Sequence, residues 1–243
     1  MNATAPPPHP PRPPDPIETL KGHVAAMTEL ALGMVADGTR ALLTSDTALA
    51  ASVAARDSPL DRFDIAIETE AMRLIATRQP EGPDLRTIGA VLKVANCVDR
   101  VGRLGYDLAK NLSTAPEPED VAPANLLRQM DSKSREMVQR AIEAFVHDDA
   151  TLAKTIFAMD DDVDELHEKL QDRVLSLLQK GGLTTERLAR YLLAGRHLER
   201  VGDNACKIAE KAVYAITGER RPEYFPALAH RATTGVRPPG PTH

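Results

Sequence analysis

Apolar residues recur every three or four positions along most of this chain, which is the period of a helix with one buried face. Leu49, Val53, Leu60, Phe63, Ile67, Ala71 and Leu74 form one such stripe; Tyr191, Leu198, Gly202, Ala205 and Ala209 form another. Short breakers punctuate the stripes: Asp37-Gly38, QPEGP at 79–83, APEPED at 115–120 and KGG at 180–182. That punctuation predicts six helices.

The six helices read as two copies of three. Asp46, Leu49, Val53, Asp57, Leu60, Asp61, Phe63, Ile67, Ala71 and Leu74 align without a gap on Asp149, Leu152, Ile156, Asp160, Val163, Asp164, Leu166, Leu170, Val174 and Leu177, an offset of 103 (149 minus 46). After the next loop the offset is 100, and VDRVGRLGYDLAK at 98–110 falls on LERVGDNACKIAE at 198–210. The first helix of each copy follows weakly, Met34 on Met137 and Leu42 on Phe145. The expected architecture is all-α, a tandem repeat of two three-helix bundles over residues 17–113 and 122–218. Pro-rich composition predicts a disordered arm at 1–16 and a flexible tail at 219–243.

Composition narrows the class. With 243 residues, 42% hydrophobic, the chain is long enough for a real core; with 3% aromatics and no Trp, that core is aliphatic and suits helix packing. A net charge of -5 and no basic run argue against nucleic acid as a partner. The apolar run VAAMTELALGMVA at 24–36 carries Glu29 and is bounded by Asp37, so it is too short for a bilayer span. Cys97 and Cys206 lie in helical segments, and no secretory leader is evident, so a reducing cytoplasm is expected.

The chemistry resides in acidic stripes beside the apolar ones. Glu199, Asp203, Cys206 and Glu210 share a narrow band of one helix, and Asp160 and Asp164 stand one turn apart on the preceding one. If these helices pack antiparallel, four carboxylates converge and repel unless a cation compensates. Hard oxygen ligands favour iron, manganese, magnesium or calcium and admit zinc. The plainer alternative is salt bridging to Arg187, Arg190, Arg196 or Arg200. Gly202 is read as a site of close helix packing.

Taken together, HLERVGDNACKIAE at 197–210, RQPEGPDLR at 78–86, the Asp160–Asp164 segment and the six-helix repeat closely resemble the PhoU family of phosphate-specific transport accessory and regulatory proteins. The resemblance covers nearly everything between the two tails. It implies metal-binding acids from two helices of each bundle: Asp160, Asp164, Glu199 and Asp203 in the second, and Asp57, Asp61 and Asp99 in the first. It also implies a cytoplasmic homodimer that represses phosphate uptake and the phosphate-starvation regulon. The implied partners are the ATPase subunit of a phosphate ABC transporter and a phosphate-sensing histidine kinase, placing the chain at most peripheral to a membrane complex. No phosphate-binding glycine loop, nucleophile elbow or HExxH motif is present, so a regulator rather than an enzyme is expected. The alternative is a helical-bundle enzyme with a di-metal carboxylate centre, for which Asp164 and His167 supply one acid-xx-His pair.

The first copy departs from the pattern. Arg103 stands at the fourth acid position and Lys110 where the second copy has Glu210. A guanidinium is always charged and ligates no metal, so the first site is expected to be weakened or lost, with Arg103 neutralising the remaining acids. Pro59 adds a second difficulty, because inside a continuous helix it removes a donor and clashes one turn back. A helix restart there, capped by Asp57 or Ser58, competes with ligation as the role of Asp57. His197 is expected to be exposed, Cys97 and Cys206 to be inert buried or half-buried thiols, and Arg220, Arg221 and His230 to belong to a solvated tail.

Overall fold

The computed structural model describes residues 15–112, 121–180 and 184–219. The expected arm and tail, and with them Arg220, Arg221 and His230, lie outside these residues apart from Asp15, Pro16 and Glu219. All regular structure among the described residues is α-helical: α1 (Pro16–Thr44), α2 (Thr47–Ala54), α3 (Asp57–Arg78), α4 (Gly82–Lys110), α5 (Val121–Val146), α6 (Ala150–Lys180) and α7 (Thr185–Thr217).

Seven helices replace the expected six, and Pro59 is the reason. Where the second copy runs unbroken through α6, the first stops at Ala54 and restarts at Asp57, placing Pro59 at the third helical position, where no intrahelical donor is required. The preceding cap residue is Arg56, without a side-chain capping bond, so neither Asp57 nor Ser58 caps the restart. The first copy therefore has four helices. The repeat nevertheless extends to its caps: Asp46 Oδ1 accepts from the Leu49 amide and Asp149 Oδ1 from the Leu152 amide, both at 2.9 Å.

Asp37-Gly38 is not a break. α1 runs straight through it, because Gly38 is buried against α4 and its missing side chain lets the helices touch. A Cβ there would lie 2.2 Å from the Gly105 carbonyl oxygen, and one on Gly105 would lie 2.5 Å from the α1 backbone. Asp37 turns outward to pair with Arg40 and with Arg56 of the α2–α3 link. The other described breakers behave as expected, with α3 ending at Arg78 before a left-handed Gln79 and α4 starting at Gly82 and Pro83.

α1 packs on α4, and α5 on α7; α3 and α6 flank these pairs. The two copies are joined through α4 against α7 and α1 against α5, and their buried residues form one continuous apolar core. Met34, Met137, Leu42 and Phe145, the weakest repeat matches, are all within it. Polar ties cross the same boundary: Thr39 donates to Asp131 at 3.2 Å, and buried Lys21 pairs with Asp148 at 2.7 Å while lying over the Phe145 ring. α4 and α7 run antiparallel, as Asn111 reaches the Arg190 carbonyl at one end and Lys207 and Lys211 act on Cys97 at the other.

Candidate functional site

In the second copy, the packing of α6 on α7 brings Asp160 and Asp164 to Asp203. Gly202 makes the room: a Cβ there would be 3.0 Å from Asp160 Oδ1, so the carboxylate occupies space a side chain would fill. Burial, then the charges of Asp164 and Asp203, push the Asp160 carboxyl up to about 6. Asp164 is raised too, by burial and then by Asp203, against the opposing effect of His167. The Cys206 thiol hydrogen-bonds Asp160, and burial together with these acids holds it far above the ordinary thiol range. Asp160, Asp164 and Asp203 form no ion pair with a described cationic side chain. Glu199 differs, because Arg196 clasps its carboxylate from one turn away. Among the described residues, no three His, Cys, Asp or Glu side chains stand close enough to enclose an ion as they lie.

The first copy is built on the same plan around a cation of its own. Arg103 donates to Asp61 at 2.6 Å, to Asp99 at 2.9 Å and to Asp57 at 3.4 Å. One guanidinium thus spans the three acids that the repeat offers, and they hold its pKa up in return, the Asp99 hydrogen bond foremost. Asp64, which was not among the expected ligands, joins this cluster; it lies three residues after Asp61 and aligns with His167. Burial, then the charges of Asp99, Glu68 and Asp61, raise its carboxyl. Over Gly102 sits Leu60 rather than an acid, with a Cβ there reaching within 2.4 Å of its methyl.

His167 faces the Gly195 backbone and meets Gln171 at 3.2 Å. Glu210 pairs with Lys211. His197 is half-buried, not exposed, because α4 covers it: burial lowers its pKa and Asp107 partly opposes this. Cys97 is buried and its thiol is raised by burial, so both cysteines are poor nucleophiles. Where α4 crosses α7, a groove of about 200 Å³ opens beside both acid clusters; Arg103 and Asp203 line it.

The PhoU domain matches this chain twice, over residues 24–112 and 127–212. The chain belongs to the PhoU domain family. It is 32% identical to the Phosphate-specific transport system accessory protein PhoU homolog 1 of Thermotoga maritima over 85% of this chain and 89% of that one. The crystal structure of PhoU from Pseudomonas aeruginosa superposes with a TM-score of 0.78 at 29% identity, over 84% of this chain and 98% of that one. A phosphate transport system regulatory protein PhoU from Streptococcus pneumoniae gives 0.75 at 25% identity, over 84% and 97%. The double PhoU match coincides with the internal repeat, and the departure at Arg103 is thus a feature of this chain's first PhoU domain.

Proposed function

We propose that this chain is an accessory protein of a phosphate-specific transport system, acting as a negative regulator of phosphate uptake and of phosphate-starvation genes. The observation that carries this is the paired PhoU domain match, together with relatives named for that system over more than four-fifths of the chain. The regulator binds rather than catalyses. Its partners are the ATPase subunit of the phosphate ABC transporter and the sensor histidine kinase, met in the cytoplasm by a homodimer. Among the described residues no helix is long and apolar enough to cross a membrane, which agrees with a protein peripheral to that complex. Deleting the gene and measuring a phosphate-starvation reporter in phosphate-rich medium tests the role. Derepression is the expected result; unchanged repression with normal uptake refutes it.

The second-copy acids are proposed to hold a metal ion. Three carboxylates without a cationic partner, two of them raised by burial and by their neighbours, fit a divalent or trivalent ion, which would supply the missing positive charge. Asp160, Asp164 and Asp203 are the proposed ligands, with Glu199 joining on release from Arg196. Iron, manganese, magnesium, calcium and zinc all suit this donor set. The first copy does not fit, because Arg103 already occupies the place of the charge. Elemental analysis is expected to find bound metal in the wild type and none in the Glu199→Ala/Asp203→Ala double variant. Equal metal in both removes the proposal.

A further inference from the structure

The groove at the α4–α7 crossing is lined from both copies at once. Arg100 and Asp107 come from α4, and Arg200, Asp203, Asn204 and Lys207 from α7. Arg100 and Arg200 are repeat equivalents, as are Asp107 and Lys207, and the antiparallel crossing delivers both copies of the same helix face to one place. The guanidinium groups of Arg100 and Arg200 and the ammonium group of Lys207 make no ion pair or hydrogen bond with any described residue. Three cations facing a shared concavity repel one another, so an anion between them relieves that repulsion.

The groove also holds acceptors. Asn204 is only 4% exposed, and its Nδ2 donates to the Arg200 carbonyl at 2.7 Å, which sets the orientation of the amide. Its Oδ1 is buried and accepts from nothing. A buried carbonyl oxygen without a donor is costly, but this one has no surface open to the groove, so the acceptors a ligand meets there are carboxylates. Asp107 adds a carboxylate at the rim and makes no ion pair. A fully deprotonated anion such as sulfate satisfies the cations but offers nothing to these acceptors and is repelled by the carboxylates. A tetrahedral oxyanion that retains an O–H at neutral pH satisfies both sets.

We propose that the α4–α7 groove is a binding site for a protonated tetrahedral oxyanion, inorganic phosphate being the ligand of that chemistry and size. Arg100, Arg200 and Lys207 bind its charged oxygens, while Asp107 accepts from its hydroxyl. A groove of about 200 Å³ has room for a free small oxyanion. Because Asp203 faces both this groove and the acids on α6, an ion on those acids offsets a negative charge beside the anion, and the two ligands favour each other's binding reciprocally.

Isothermal titration calorimetry of the full chain with sodium phosphate and with sodium sulfate, at pH 7 and constant ionic strength, tests the site. Saturable phosphate binding at least tenfold tighter than sulfate is expected. The exposed Arg100→Gln/Arg200→Gln pair is expected to weaken phosphate at least tenfold at unchanged thermal stability. Asp107→Asn is expected to weaken phosphate while letting sulfate bind more tightly. No saturable phosphate binding in chelator-treated or metal-supplemented protein overturns the proposal, as does binding that the arginine pair leaves unchanged. Equal affinity for sulfate overturns the assignment to a protonated oxyanion. Phosphate binding is read on purified protein and repression in cells, so the site and the transport-system role can fail independently.

Discussion

Asp160 keeps a carboxyl among carboxyls, and the consequence is a pH dependence of known sign. Its ordinary value of 3.8 applies to the unfolded chain, whereas in the fold it is about 6. Between those values the folded state retains a proton the unfolded state has released, so the metal-free protein loses stability as pH rises through that window and does not recover it above pH 6. Asp160→Asn removes this loss. In thermal denaturation with chelator present, the variant is expected to exceed the wild type by about 1 kcal/mol at pH 8, after allowance for screening of a partly exposed group, and to match it at pH 4. Identical pH slopes would dismiss the repulsion. Arg103 makes the complementary case, since it supplies from the protein the charge that the second cluster lacks. Arg103→Asp recreates at that position the acid of the other copy, and elemental analysis is expected to show additional metal per chain relative to wild type. An unchanged metal content would mean that Arg103 is not what closes the first site.

Among the helices, two glycines on α4 have different neighbours and should respond differently. At Gly105 an added Cβ meets the α1 backbone at 2.5 Å, and a helix axis has to move; at Gly102 it meets the Leu60 methyl at 2.4 Å, and a side chain can rotate. Gly105→Ala is therefore expected to cost about 3 kcal/mol, and Gly102→Ala about 1 kcal/mol, by denaturant unfolding. The reverse order would contradict the close α1–α4 contact at Gly105. The same contact explains why α1 continues through Asp37-Gly38. A glycine pair-like signal marks a turn when its backbone faces water, but a buried glycine between two helices marks their closest approach.

In the whole molecule, the two PhoU domains share a core rather than a linker. α4 and α7 bury their faces on each other, Lys21 and Thr39 cross from α1 to the α5 region, and the apolar cluster is continuous. A single cooperative unfolding transition is expected in guanidinium, with circular dichroism and intrinsic tyrosine fluorescence coincident. Residues 121–219 expressed alone are expected to self-associate or aggregate, since the face of α7 that meets α4 is left uncovered. A monomeric, separately folding half, or two resolved transitions, would refute the shared core. For that reason metal content is best compared between full-length variants.

Period and repeat determined a great deal here without any structure. Three- and four-residue spacing yields helices because only that period keeps one face apolar, and the 103-residue offset between Asp57 and Asp160 carries a common geometry into both halves, down to the caps at Asp46 and Asp149. Arg103 could be read as a counter-charge because its alignment with Asp203 puts it on the same helix face. What lies between helices was decided only in three dimensions. The burial of His197, the place of Asp64 beside Asp99, the role of Gly38 and the meeting of Arg100, Arg200 and Lys207 all depend on which faces are pressed together and how closely. A one-dimensional pattern records the face a residue occupies, but the partner opposite that face is chosen by the packing of the entire core.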